Sequence, residues 1–272
     1  MKPKLFFFTA LVFACTYLLG IFATAQMAFV APVLVRTAQE ANLSLVLFLF
    51  LFFSATAFFL LLFYVTKRGS VYRVVFALLI ALGLIKLFEL VFPLGFSSVL
   101  AIIFLIGFFL VPAVWTHDLI VVLVSAGIAP VLSGQFSEHT AVLLLIILSV
   151  YDVIAVFVTR HMMTLAHEMI RHQASFALFI PERVRDFGAN IASVVPGSGF
   201  LIVGGGDIIL PLIALSTVAR TSMTAALYGM VGTLVGLFIN HLFLTLSRRP
   251  LPALPLLTVG TLIGIQIGYL FT

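Results

Sequence analysis

Apolar stretches long enough to cross a lipid bilayer recur along the whole chain, with short polar segments between them. A helix needs about 20 predominantly apolar residues to span the hydrocarbon core. Nine stretches reach or approach that length, namely 5–33, 43–65, 71–92, 96–114, 119–134, 140–161, 200–219, 223–246 and 251–271. The pattern predicts an all-α polytopic membrane protein with nine transmembrane helices.

The first stretch also has features of a signal peptide, because a basic N-terminus precedes it and the Ala-Thr-Ala sequence at 23–25 resembles a cleavage site. However, the apolar run from Leu5 is long for the hydrophobic region of a signal peptide, and it continues, with one Gln, to Val35. We therefore expect a retained first helix.

Composition supports a membrane protein. Hydrophobic residues make up 63% of the chain and charged residues 8%, with a mean hydropathy of +1.31, whereas soluble domains carry about 25% charged residues. The formal net charge of +5 then reflects basic loops that face a cytoplasm, and not a nucleic-acid partner. The one cysteine, Cys15, excludes an internal disulfide.

Basic residues predict the orientation, since cytoplasmic loops carry an excess of Lys and Arg. With the N-terminus in the cytoplasm, eleven of the 14 Lys and Arg residues lie in inside segments and Lys86 lies within a span. Only Arg36 and Arg220 lie outside. This bias supports both the orientation and the number of spans.

The same pattern predicts one membrane-embedded domain over residues 1–272, in a cell membrane. Helices one to six occupy 1–161 and helices seven to nine occupy 200–272. The longest segment between spans, 162–199, is polar, and we expect it to be a cytoplasmic loop with room for a surface helix near its start.

Three acidic residues fall inside predicted spans, where a carboxylate is costly and marks a candidate functional site. Glu89 lies three residues after Lys86, and the two can pair on one helix face. Asp152 and Asp207 have no such partner. At 1.5 Å per residue, they lie roughly 12 Å and roughly 10 Å from the inner ends of spans six and seven. Antiparallel packing of these spans would bring the two carboxyl groups to one level.

Two facing carboxyl groups in a membrane cannot both ionise at low cost, so they share one proton. The ionised group can then remove a proton from water while the protonated group donates to the scissile carbonyl. The pattern predicts an Asp152–Asp207 pair that hydrolyses peptides without a cofactor, and leaves open which Asp is the base. No metal site is predicted, because His241 lacks a second ligand at suitable spacing.

Glycines and a proline flank the second aspartate. Gly204, Gly205 and Gly206 precede Asp207, and Pro211 follows four residues later. Each glycine weakens a helix by about 1 kcal/mol relative to Ala, and Pro211 has no N–H for the carbonyl of Asp207. We expect a loosened helix beside which a substrate can lie as an extended strand whose amides need partners.

A proline-rich segment that contains Pro252, Ala253 and Leu254 delays the last helix. Irregular backbone at the edge of a membrane is tolerated only where protein or a wet cavity covers it. We therefore expect this segment to line the cavity that holds the two aspartates.

Three motifs, taken in order, resemble those of a known family: Tyr151-Asp152 in span six, Gly204-Gly205-Gly206-Asp207 in span seven, and Pro252-Ala253-Leu254 before span nine. The chain resembles the presenilin and signal peptide peptidase family of GxGD intramembrane aspartyl proteases, most of all the archaeal presenilin homologues. The resemblance implies a catalytic Asp152–Asp207 pair. The residues expected to support the site or dock substrate are Tyr151, Gly204, Gly205, Gly206, Pro211, Pro252, Ala253 and Leu254.

With the loop 162–199 inside, the orientation is that of presenilins. The resemblance then implies substrates that are single-span membrane proteins with an outside N-terminus, met within the lipid bilayer. The sequence leaves the natural substrate and the oligomeric state open.

Three other interpretations compete with a protease of this family. An ion-coupled transporter with a broken helix at Asp207 would also bury acids, but such folds usually contain internal repeats. No second copy of the Gly-Gly-Gly-Asp or the Pro-Ala-Leu segment occurs in the chain. A prepilin-type peptidase also uses a GxGD aspartate but would not explain the proline-rich segment. The third alternative is a membrane scaffold without catalytic activity.

Overall fold

The computed structural model describes residues 3–30, 45–66, 69–159, 175–194, 199–247 and 251–272. Within these ranges the chain forms nine α-helices, one in each predicted stretch. They are α1 (Pro3–Val30), α2 (Leu45–Thr66), α3 (Gly69–Phe88), α4 (Leu94–Leu110), α5 (Val114–Ser133), α6 (Glu138–Ile154), α7 (Gly205–Ala219), α8 (Met223–Ser247) and α9 (Leu254–Tyr269). A π-helical turn, Ala155–Thr159, extends α6.

The apolar helices differ in length. Within the described ranges, four segments are long and apolar enough to cross a membrane: Leu5–Met27, Val114–Ser133, Glu138–Phe157 and Met223–Leu246. By contrast, α4, α7 and α9 are apolar but have 17, 15 and 16 residues. The last two are short because a strand precedes α7 and prolines precede α9.

The predicted start of span seven is a strand and not a helix. Residues Phe200–Gly204 form β2, which pairs antiparallel with β1, Ala177–Pro181. Aromatic and β-branched residues favour this extended backbone, and the following glycines do not extend a helix backwards. The loop 162–199 is therefore not uniformly polar, since its apolar run forms a fully buried strand. The surface helix expected near its start lies outside the described residues.

The main hydrophobic core joins α1, α5, α6, α7 and the two strands. Its largest fully buried side chains include Phe13 and Tyr17 from α1, Leu144 from α6 and Leu212 from α7. A Cβ on Gly20 would lie 2.8 Å from Leu212, so α1 and α7 pack closely. This core fixes α7, which carries Asp207, between α1 and α6.

Helices α8 and α9 approach each other through glycine. A Cβ on Gly232 would meet the carbonyl oxygen of Gly260, and one on Gly260 would meet that of Gly232. Beside them, the hydroxyls of Thr233 and Thr261 lie 2.7 Å apart. Small residues allow such close backbone packing in membranes, and this contact anchors α9 and the segment before it.

The predicted Lys86–Glu89 pair is confirmed. Lys86 Nζ lies 2.8 Å from Glu89 Oε2 near the end of α3, with both side chains partly exposed. The pair therefore accounts for one of the three acidic residues in the predicted spans and leaves the two aspartates.

Candidate active site

Asp152 lies in the last turn of α6 and contacts the start of α9. Its Oδ2 atom accepts a hydrogen bond from the backbone N–H of Leu254 at 3.3 Å. Ala253 is the residue that caps α9, and both Pro252 and Leu254 are buried. The proline-rich segment thus presents a free helix-terminal N–H to the carboxyl group of Asp152.

Asp207 is the third residue of α7, and Gly204 caps that helix. The carboxyl group of Asp207 reaches back to make a hydrogen bond with the backbone of Gly204, as acidic residues at this helix position commonly do. A Cβ on Gly204 would lie 3.4 Å from Asp207 Oδ2. The N-terminus of α7 therefore holds this carboxyl group beside the end of β2 and stabilises negative charge on it.

Asp152 lies at the end of α6 and Asp207 at the start of α7, and these two helices pack together. Both side chains are partly buried. Antiparallel packing of α6 and α7 brings the end of one helix to the start of the other. The two carboxyl groups can therefore act on one bound molecule.

Each of the three glycines before Asp207 has a different environment. Gly204 ends β2. Gly205 packs so tightly against Phe176 that a Cβ would lie 2.5 Å from its carbonyl oxygen, which accepts a hydrogen bond from Gly205 N–H at 2.8 Å. A Cβ on Gly206 would meet no atom within 4 Å. The expected loosening of a continuous helix is wrong here, because the glycines form a strand-to-helix junction.

Pro211 removes the N–H that would bond to the carbonyl of Asp207 within α7. The hydroxyl group of Tyr17, in α1, lies 3.5 Å from that carbonyl oxygen and donates to it. Tyr17 is fully buried. The sequence analysis missed this contact, although a Tyr within an apolar span signals a need for a polar partner.

The free edge of β2 leads towards the aspartates. Gly205 N–H bonds to Phe176 and Glu182 N–H bonds to Gly199, so alternate residues of the pair bond across the sheet. In this register, Phe200 and Ile202 direct their N–H and C=O groups away from β1. Among the described residues, no backbone hydrogen bond is made at that edge.

The outer edge of β1 is occupied. His117 Nε2 lies 3.0 Å from the carbonyl oxygen of Ala177, and Asp118 Oδ1 accepts from Phe179 N–H at 2.9 Å. Sequence reasoning missed His117 and Asp118, because the predicted fifth span begins at 119, just after them. A His-Asp pair at the edge of a span was the available signal.

The remaining predicted site residues lie further away. The ring of Tyr151 is exposed and packs edge-on against Phe53 of α2 at 5.5 Å. Pro211 lies one turn beyond Asp207, inside α7. The structure thus brings Asp152, Leu254, Gly204 and Asp207 into one group. No set of three or more His, Cys, Asp or Glu side chains in the described part of the chain has metal-site geometry.

A family model described as "Signal-peptide peptidase, presenilin aspartyl protease" matches residues 10–272. The fold is similar to that of a presenilin family intramembrane aspartate protease solved in two space groups. One structure has a TM-score of 0.65 at 20% identity, covering 97% of this chain and 96% of that chain. The other has a TM-score of 0.63 at 23% identity, with the same coverage of both chains. A search of curated proteins finds no match.

Proposed function

Because the chain belongs to the family of signal-peptide peptidase and presenilin aspartyl proteases, we propose that Asp152 and Asp207 are its catalytic pair and cleave peptide bonds within transmembrane helices of single-span proteins. Family membership makes the protein a multi-pass intramembrane aspartyl protease and sets aside the transporter, prepilin peptidase and scaffold interpretations. The observation that carries the proposal is the packing of α6 against α7 and α9, with Asp152 at the end of α6 bonded to the start of α9 and Asp207 at the start of α7.

The proposed reaction uses one shared proton. The ionised carboxylate removes a proton from water as the water oxygen attacks the carbonyl carbon of the substrate, and the protonated carboxyl group donates to the carbonyl oxygen. As the tetrahedral intermediate collapses and the C–N bond breaks, the carboxyl group that took the proton from water passes it to the nitrogen, and a hydroxyl group of the intermediate returns its proton to the other carboxylate. A new carboxylic acid and a new amine result, and the pair again holds one proton.

A transmembrane substrate must lose helical hydrogen bonds before its backbone can be cut, and unpaired amides in lipid cost several kcal/mol. The free edge of β2 supplies N–H and C=O partners for an added strand. Since β2 ends at Gly204, directly before the helix that carries Asp207, a strand paired with it would lie beside both aspartates. The proposed substrate is therefore a helix that unwinds into a third strand.

Residues around the pair would position the two carboxyl groups and the substrate without taking part in proton transfer. Leu254 N–H orients Asp152, and buried Pro252 with Ala253 sets the start of α9. Gly206 leaves open space beside Asp207. Tyr151 is expected to act through packing on α2, because its ring contacts Phe53.

The excess of basic residues in alternate segments supports nine membrane spans with a cytoplasmic N-terminus and loop 162–199. The positions of the helix ends agree with helices that cross the membrane in alternate directions, because α6 ends, and α7 and α9 begin, beside the aspartates. In this orientation, we expect a substrate that spans the cell membrane with its N-terminus outside.

Cleavage of a purified single-span reporter in liposomes tests the proposal. Mass spectrometry of the products should locate new termini inside the transmembrane segment of the reporter. A matched reporter whose segment carries strong helix formers in place of Gly and β-branched residues should be cut more slowly, because it unwinds less readily. Products cut only outside the membrane segment would contradict the proposal.

A further inference from the structure

His117 and Asp118, in the first two turns of α5, bond to the edge of β1 that faces away from β2. We propose that this pair closes the outer edge of β1 and fixes the register in which a substrate strand joins β2, so that it selects which peptide bond is cut. The inference rests on the proposed function, because it concerns how that same site reads its substrate.

The two bonds engage two of the outward-facing backbone groups of β1. In the register that pairs Ala177 with Gly204, the ladder bonds run through Phe176, Leu178 and Ile180. Ala177 C=O and Phe179 N–H therefore point outward, and these are the two groups that His117 and Asp118 engage. A substrate strand cannot pair there, so β2 carries the free edge.

Both side chains are buried, so each polar group needs a hydrogen-bond partner. His117 is 1% exposed and Asp118 is 5% exposed. Because a carbonyl only accepts, His117 Nε2 carries the proton that bonds to Ala177. Three aromatic rings surround the imidazole, with centroids 6.2 Å away for Phe76, 5.7 Å for Phe108 and 5.1 Å for Phe179. A partner lost in these surroundings would leave a buried polar group unpaired.

The pair is poorly suited to stability alone. Asp118 Oδ2 is buried and has no hydrogen-bond partner among the described residues. Apolar residues of similar size would pack there without this penalty. Polar side chains at this point gain directional contact with single backbone groups of β1, which apolar side chains cannot provide. The geometry therefore favours a positioning role.

The position of β1 fixes that of β2, and β2 ends at the residue that contacts Asp207. A register slip between strands moves side chains to the other face and shifts the chain by about 3.3 Å per residue. Such a slip would carry a different peptide bond of the substrate to the aspartates. His117 and Asp118 thereby act through β1 and β2 on the site of cutting.

Four variants test whether His117 and Asp118 set the position of the cut or only support the fold. Asp118→Asn keeps an oxygen acceptor and His117→Gln keeps an N–H donor, whereas Asp118→Leu and His117→Leu remove the bonding group. We expect both apolar variants to weaken the dominant cut in a single-span reporter and to add cuts one or two residues away, with a raised KM. The two conservative variants should restore the wild-type cut positions.

Thr116→Val is a matched control, because Thr116 is buried in the same turn and its hydroxyl bonds, within the described residues, to Val111 and Ala113 and not to β1. It should lower thermal stability without moving the cut. Unchanged cut positions in folded Asp118→Leu and His117→Leu would overturn the inference while the proposed function stands. A wild-type protein that does not cut would instead remove the proposed function.

If neither apolar variant folds, hydrogen exchange in the folded conservative variants decides. Slow exchange of Phe179 N–H with unchanged cut positions supports the inference. A tenfold faster exchange of that amide with unchanged cut positions overturns it, because β1 would then be released without any effect on cutting.

Discussion

The hydroxyl group of Tyr17 lies 3.5 Å from the backbone carbonyl oxygen of Asp207, the carbonyl that Pro211 deprives of its helical donor. This contact joins α1 to the first turn of α7. It replaces a missing intrahelical bond at the residue that carries one of the two proposed catalytic carboxyl groups. Its length indicates a weak bond, so its effect should be modest but measurable.

Tyr17→Phe should lower the kcat for a reporter about two- to tenfold, because a buried hydrogen bond contributes about 0.5–1.5 kcal/mol. The side chain keeps its packing in the core. Steady-state kinetics with a single-span reporter measure the change. Tyr228→Phe is the control, since its ring stacks on Phe271 at the other end of the bundle. Equal kcat for both variants would contradict a role for the Tyr17 hydroxyl.

Gly205→Ala should destabilise the strand-to-helix junction by about 1–3 kcal/mol, as overpacking of a tight site does. The new methyl group would collide with the ring and carbonyl of Phe176. Thermal unfolding in detergent measures the shift. Gly206→Ala meets no atom within 4 Å and should keep the wild-type Tm. A Gly205→Ala protein as stable as Gly206→Ala would show that Gly205 does not pack tightly against Phe176.

Glu138, at the start of α6, bonds to the end of α9 and to the turn between α7 and α8, at the end of the bundle away from the sheet. Its Oε2 accepts from the hydroxyl of Tyr269 at 2.7 Å, and its Oε1 accepts from that of Thr221. Glu138→Leu removes two hydrogen bonds to a charged group, although the Thr221 hydroxyl keeps its bond to Val218, and this loss should lower the free energy of unfolding by about 1–3 kcal/mol. Thermal unfolding should show a larger loss than for Glu89→Gln on α3. A loss no larger than that of the control would rule out this anchoring role.

Cysteine labelling checks the proposed orientation. In a Cys15→Ser background, Arg183→Cys lies in an exposed part of the loop and His139→Cys lies at the opposite end of the bundle. A membrane-impermeant reagent added to intact cells should label position 139 and not position 183. Labelling of 183 alone would reverse the orientation and with it the predicted topology of the substrate.

Sequence reasoning located nine helices because long apolar runs determine membrane helices strongly. It singled out Asp152 and Asp207 because an unpaired carboxyl group in an apolar run is costly. It assigned residues 200–204 to a helix, since apolar residues without alternation leave helix and strand ambiguous. The contacts of Tyr17, His117 and Asp118 join residues 190, 60 and 61 positions apart. Such pairings follow from tertiary packing and have no local signature.

The proposed catalytic pair is tested most directly by replacing each carboxyl group with an amide of the same shape. Asp152→Asn and Asp207→Asn should each reduce cleavage of a single-span reporter by about 100- to 10,000-fold, since each removes a proton-transfer group. Asp186→Asn, in an exposed turn of the loop, should cut at the wild-type rate. Retained cutting by either site variant, with the same products as wild type, would contradict the two-aspartate mechanism.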